Sequence, residues 1–198
     1  MAITPKKLLI LIAAGVGLYF GYSYFVSNFS SKTSEELFSM YGEGGAKGAG
    51  ARAELEIRVQ QDKIKAGDLM SRVNDANVDI AELSLGLLAR MKHKEGISTY
   101  IGKINARDAK RWKVNAAAAD ALKASRCAKS KDAIPPLINL LRWEVPTKDG
   151  VDGKDATEKV HSAAGAALET ITGANHQNNA SLWDVWWQEN QREFQVKD

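Results

Sequence analysis

Residues 113–122 and 159–168 carry one pattern twice, and no other feature limits the possible folds as tightly. Lys113-Val-Asn-Ala-Ala-Ala-Ala-Asp-Ala-Leu122 aligns with Lys159-Val-His-Ser-Ala-Ala-Gly-Ala-Ala-Leu168 at an offset of 46, matching the opening Lys-Val, two central alanines and the closing Ala-Leu. These matches fall at helical spacing, so each copy reads as a helix with small residues where a neighbour must approach and Val or Leu where a layer must be filled. At an offset of 37, Glu95-Gly-Ile-Ser-Thr-Tyr-Ile101 aligns with Asp132-Ala-Ile-Pro-Pro-Leu-Ile138, and Ala81 and Leu85 fall on Ala118 and Leu122. Helix pairs therefore recur three times, over residues 77–104, 112–141 and 157–194. A lone pair cannot bury its apolar face, whereas stacked pairs bury a continuous one. Strand alternation is sustained nowhere, so the fold class is all-α.

The alanine-rich first helices beginning at Val114 and Val160, with the second helix Asp132-Ala-Ile-Pro-Pro-Leu-Ile-Asn-Leu-Leu141, resemble the HEAT-repeat family. The likeness is to short bacterial HEAT-like repeats, as in phycobilisome-lyase-type proteins, and covers roughly residues 77–194. The first repeat departs from the pattern, with Ile80 and Leu83 in place of alanines. The resemblance implies a small α-solenoid of about three helical pairs that binds other proteins. The lyase activity of some relatives needs residues that have no counterpart here. Trp183, Trp186 and Trp187 lie at i, i+3 and i+4 on one face of the last helix, where they cap the open end of the solenoid or dock a partner.

Upstream, residues 8–26 form 19 consecutive positions without a charge, LLILIAAGVGLYFGYSYFV. At about 1.5 Å per residue this helix spans the roughly 30 Å hydrocarbon layer. Lys6 and Lys7 precede it and Tyr19, Phe20, Tyr22, Tyr24 and Phe25 crowd its far end, which places the N-terminus in the cytoplasm and the rest outside. The run is longer than a signal-peptide core and lacks a following small-x-small site, so it reads as an uncleaved anchor. Ala13, Gly17 and Gly21 stack at four-residue spacing, a face on which a partner helix in the membrane can pack closely. Beyond it, Thr33-Ser-Glu-Glu36 is a capping box opening a short helix, and residues 42–50, GEGGAKGAG, read as a flexible joint. Residues 51–73 read as one long polar helix, bent near Gly67. The organisation is a cytoplasmic tail (1–7), a transmembrane helix (8–26), a short helix with a Gly-rich linker (27–50) and an extracytoplasmic HEAT-like domain (51–198).

Reactive chemistry is sparse. One cysteine, Cys127, and three histidines, His93, His161 and His176, cannot supply a Cys₂His₂ zinc set, and each histidine lacks a second ligand at metal spacing. Asp149, Asp152 and Asp155 do not follow the calcium-loop order of acids, because Val151 and Lys154 occupy the third positions. Phosphate-binding and nucleophile-elbow motifs are missing as well. No cofactor, metal, catalytic residue or small-molecule substrate is expected. Past the anchor region the charges nearly balance, which argues against nucleic acid as a partner. They are nevertheless zoned, with 12 basic residues against three acids over residues 87–131. Within this zone Lys103, Arg107, Lys110, Arg111, Trp112 and Lys113 are the candidate contact with an acidic partner or with lipid headgroups.

The expectation is a single-pass protein of the bacterial inner membrane with a periplasmic solenoid. Its role would be that of a non-catalytic accessory or scaffold subunit, partnered by other subunits of a membrane complex and by the bilayer. The alternatives are an enzyme or enzyme chaperone of the bilin-lyase kind, or a free periplasmic binding protein released by cleavage near Ser27.

Overall fold

A computed structural model describes residues 29–196. All regular structure among the described residues is helical, as the sequence pattern requires. The anchor at residues 8–26, and Ala13, Gly17 and Gly21 within it, lie outside the described residues. No helix among the described residues is long and apolar enough to cross a membrane. The chain gathers into two compact units that divide between Gln61 and Asp62.

Within its described residues the first unit is a helical hairpin. Helix α1, Ser34–Glu43, starts at the predicted capping box: the Glu36 amide donates to Thr33 Oγ1 at 3.2 Å and the Thr33 amide to Glu36 Oε2 at 2.7 Å. Helix α2, Gly45–Gln60, runs through most of the stretch read as a flexible joint, which corrects that reading. Only Gly44 and Gly45, at φ +77° and +65°, make the turn. A residue-by-residue propensity undervalues this segment, because its glycines let two helices touch. A Cβ on Gly48 would sit 3.2 Å from the Tyr41 carbonyl oxygen, and Gly48, Ala51, Leu55 and Val59 are buried along one stripe. At the base of the hairpin Arg58, 12% exposed, donates to Glu54 Oε1 at 2.9 Å, Ser34 Oγ at 3.2 Å, and the carbonyls of Lys32 and Ser30 at 2.6 and 3.3 Å.

The single helix expected over residues 51–73 is also corrected. Helix α2 ends at Gln60, Asp62 takes a left-handed φ of 55°, Ile64 is buried, and helix resumes as α3, Ala66–Arg72. Drawing Ile64 into the interior outweighs the weak apolar periodicity that suggested continuity.

The second unit continues with α4 (Val78–Arg90), α5 (Ile97–Asn105), α6 (Trp112–Ala124), α7 (Ile134–Leu140), α8 (Gly153–Thr172) and α9 (Ala180–Asn190). Short 3₁₀ turns, Lys94–Gly96, Ala109–Arg111 and Ala128–Ala133, lead into α5, α6 and α7. The first helices pack in sequence, α4 on α6 and α6 on α8, with α3 against α4. The second helices do the same, α5 on α7 and α7 on α9, while α5 touches α6 and α7 touches α8. Ala118, Ala121, Ala164 and Ala167 are fully buried on the alanine-rich helices, and Leu85, Leu122 and Leu168 fill the layer beside them.

Helix α8 starts earlier than the expected residue 157. Asp152 caps α8 by accepting from the amides of Lys154 and Asp155 at 3.0 and 3.2 Å, so residues 153–158 are helix rather than loop. Gly153 allows the preceding segment to fold back, since a Cβ there would meet the Val145 carbonyl at 2.3 Å. Gly173 closes α8 in the left-handed conformation at φ +77°, its amide donating to Glu169 O at 2.8 Å.

Candidate functional site

On α6 and α8 the repeat puts matching residues at i, i+3, i+4 and i+7. Lys113, Ala116, Ala117 and Asp120 of α6 correspond to Lys159, Ser162, Ala163 and Ala166 of α8, and all eight line one open groove of about 580 Å³. Glu82 of α4, with Trp112 and Lys123 of α6, completes it. The floor is made of methyl groups, which allow a partner's backbone to approach closely, and the charges stand around them.

Lys159 Nζ lies 5.6 Å from the centre of the Trp112 ring, a cation–π placement that keeps the ammonium over the groove. Lys113 pairs with Asp79 at 3.0 Å and Lys159 with Asp155 at 2.8 Å, both exposed pairs. The walls of the groove desolvate Asp120 and raise its carboxyl pKa above the ordinary value, with Lys123 pulling the other way.

The sequence grouped six residues as one basic contact zone, and the structure separates them. Trp112 and Lys113 line the groove. Lys103 reaches Asn74 Oδ1, and Arg111 donates to the Asp75 carbonyl at 3.0 Å, so these two tie α5 and the start of α6 to the turn before α4. Burial, and then the neighbouring Arg111, lower the Lys103 pKa. Lys110 pairs with Asp149 at 3.3 Å, and Arg107 is exposed in the connection between α5 and α6. Lys123, Lys159, Asp120 and Glu82 were not singled out from sequence. The offset of 46 held the signal for Lys159, since it sets that lysine on Lys113.

The tryptophans also divide. Trp183 is fully buried, its indole Nε1 donating to the Gln177 carbonyl at 2.8 Å and its ring meeting His176 edge-on at 4.8 Å. Trp186 packs edge-on against both Trp183 and Phe194, at 6.0 and 5.2 Å, and stacks with Trp187 at 6.4 Å; Trp186 and Trp187 are half-buried. The exposed apolar side chains of this helix are instead Leu182 and Val185, one turn apart.

The remaining polar residues have local roles. His161 Nε2 lies 3.1 Å from the Trp143 carbonyl, and at the equivalent repeat position Asn115 Nδ2 donates to the Lys103 carbonyl at 2.6 Å. Each joins a first helix to backbone from the preceding pair. His93 faces Glu95 at 3.1 Å, and Cys127 precedes a 3₁₀ turn in which Ser130 Oγ accepts from its amide at 3.0 Å. Burial pushes the Tyr100 hydroxyl up to about 12, and that hydroxyl donates to the His93 carbonyl at 3.2 Å. Among the described residues no three His, Cys, Asp or Glu side chains converge to hold a metal ion.

Compared with protein-family models, curated proteins and solved structures, the chain matches none.

Proposed function

We propose that this chain is a non-catalytic accessory or scaffold subunit of a bacterial inner-membrane complex. In this reading residues 8–26 anchor it, with Ala13, Gly17 and Gly21 against a partner's membrane helix. The pairs α4–α5, α6–α7 and α8–α9 form a small HEAT-like α-solenoid on the outer side that grips a partner's extracytoplasmic part. The observation that carries the binding role is the open groove shared by α4, α6 and α8, lined by repeat-equivalent residues of α6 and α8. A packed core needs small residues only where another helix meets them. Here Ala116, Ala117 and Ala166 line open space, the form expected of a surface built for a second molecule.

The test is gentle detergent extraction from native membranes through a C-terminal tag, with mass spectrometry of what stays bound. Stoichiometric recovery of other membrane subunits is expected. Recovery of the chain alone would overturn the subunit reading.

A further inference from the structure

We propose that the α4–α5 and α6–α7 turns of the second unit form a basic edge that rests on the anionic headgroups of the bilayer holding the chain. This inference rests on the anchor in the reading above and adds a second point of membrane contact. Residues 90–95 and 126–132 hold six basic side chains, Arg90, Lys92, Lys94, Arg126, Lys129 and Lys131, against Glu95 and Asp132. The two turns lie side by side, since Lys94 and Glu95 of one and Cys127, Ala128 and Lys129 of the other line one open crevice of about 320 Å³. Lys92 and Lys129 are exposed and meet no carboxylate among the described residues. Arg126 and Lys131 donate to the neutral backbone carbonyls of Thr170 and Phe194 at 3.2 and 2.8 Å, so their charge is not cancelled. The α5–α6 and α7–α8 connections differ: they meet where Lys110 pairs with Asp149, and residues 106–111 and 142–152 hold five basic side chains against four acidic ones.

Lys92 adds a conformational observation. It follows α4 in the left-handed region at φ 51°, with the His93 amide donating to the Leu88 carbonyl at 3.2 Å. At the matching end of α8 the left-handed residue is Gly173, which takes that conformation without a Cβ penalty. A lysine there costs stability and gains an exposed ammonium at the turn. The edge carries charge without an apolar anchor, because neither turn contains a Leu, Ile, Val, Phe, Tyr or Trp. Protein interfaces draw their affinity from such anchors, whereas an anionic bilayer needs only several flexible cations within a Debye length of its surface. Anchoring keeps that surface at high local concentration, so a few lysines suffice.

The experiment places the full chain, with C127S and A128C so that one dye sits beside the crevice, in nanodiscs carrying a nitroxide on some headgroups. Dye quenching is compared in phosphatidylcholine alone and with about one third phosphatidylglycerol. The expected quenching is at least about twofold stronger in the anionic discs and is abolished by about 500 mM NaCl, which shortens the Debye length to a few ångström. It should be lost in K92Q/K129Q and kept in K148Q/K154Q, which removes the same charge elsewhere on the unit; circular dichroism checks that both stay folded. Equal quenching in the two lipids would overturn the headgroup assignment and favour an acidic protein as the partner of this edge. Equal loss in both lysine variants would overturn the assignment to these turns. Failure of the chain to enter nanodiscs would remove the anchor and this inference with it, whereas entry without lipid-dependent quenching would leave the subunit reading to co-purification.

Discussion

Gly86 and Gly165 both sit inside first helices, yet alanine at the two positions should act with opposite sign. In a helix interior glycine costs about 1 kcal/mol relative to alanine, and that is the gain available at either site. A Cβ on Gly86 meets nothing within 4 Å, so Gly86→Ala should realise the gain. A Cβ on Gly165 would lie 2.3 Å from Asn178 Oδ1 and 3.0 Å from the Gln177 carbonyl oxygen. The Asn178 side chain can swing away. The carbonyl is backbone, and it accepts the indole N–H of the fully buried Trp183. Overpacking costs about 1–3 kcal/mol and a weakened buried hydrogen bond about 1 more, so Gly165→Ala should lose roughly 2 kcal/mol net. All five tryptophans lie beyond Asp62, so their fluorescence during urea unfolding reports the second unit. With a denaturant slope of about 2 kcal/mol/M, the midpoint should fall by about 1 M for Gly165→Ala and rise by about 0.5 M for Gly86→Ala. A rise for Gly165→Ala would refute the argument that the loop over α8 is held by close contact.

Trp183→Ala should cost about 3–5 kcal/mol by the same assay, and Trp183→Phe less, since it retains most of the packing and loses the indole donor. A paired Leu182→Ser and Val185→Ser variant should stay within about 0.5 kcal/mol of wild type, because both side chains are exposed. Asp120 has its pKa raised in the folded state, so its proton stabilises the fold: stability from this group is greatest at low pH and falls as pH rises through the raised value. Asp120→Asn should therefore be more stable than wild type at pH 7, the two converging under acid; lower stability at pH 7 would contradict the desolvation reading. Glu36 has its pKa lowered, first by its hydrogen bond with the Thr33 amide, so the helix start is strongest above the ordinary carboxylate value and weakens as acid protonates it. A pH titration of helical circular dichroism should show this loss in wild type and not in Glu36→Ala.

The helices themselves were legible because their signal is periodic. Matching Lys113–Leu122 to Lys159–Leu168 needed no contact information, and neither did the capping box at Thr33. The missed elements all depend on partners distant in sequence or on one side chain's alternative bond. Helix through residues 45–50 follows from the fit of Gly48 against Tyr41, the break after Gln60 from the burial of Ile64, and the early start of α8 from Asp152. For the groove, the sequence supplied Trp112 and Lys113 but scattered the rest. Glu82 belongs to another repeat, and a run of alternating charge such as Asp120 and Lys123 is usually surface solvation.

The Arg58 cluster bears on how the hairpin would carry tension. Its guanidinium holds the carbonyls of Ser30 and Lys32, just where the chain enters α1, and ties them to Glu54 and the body of α2. A pull arriving from residue 29 meets this clamp before it reaches the capping box. The load passes across several hydrogen bonds to α2 instead of peeling α1 open one turn at a time. Removing the guanidinium would turn a shear-loaded junction into an unzipping one, so the rupture force measured by optical tweezers would fall even where equilibrium stability changed little.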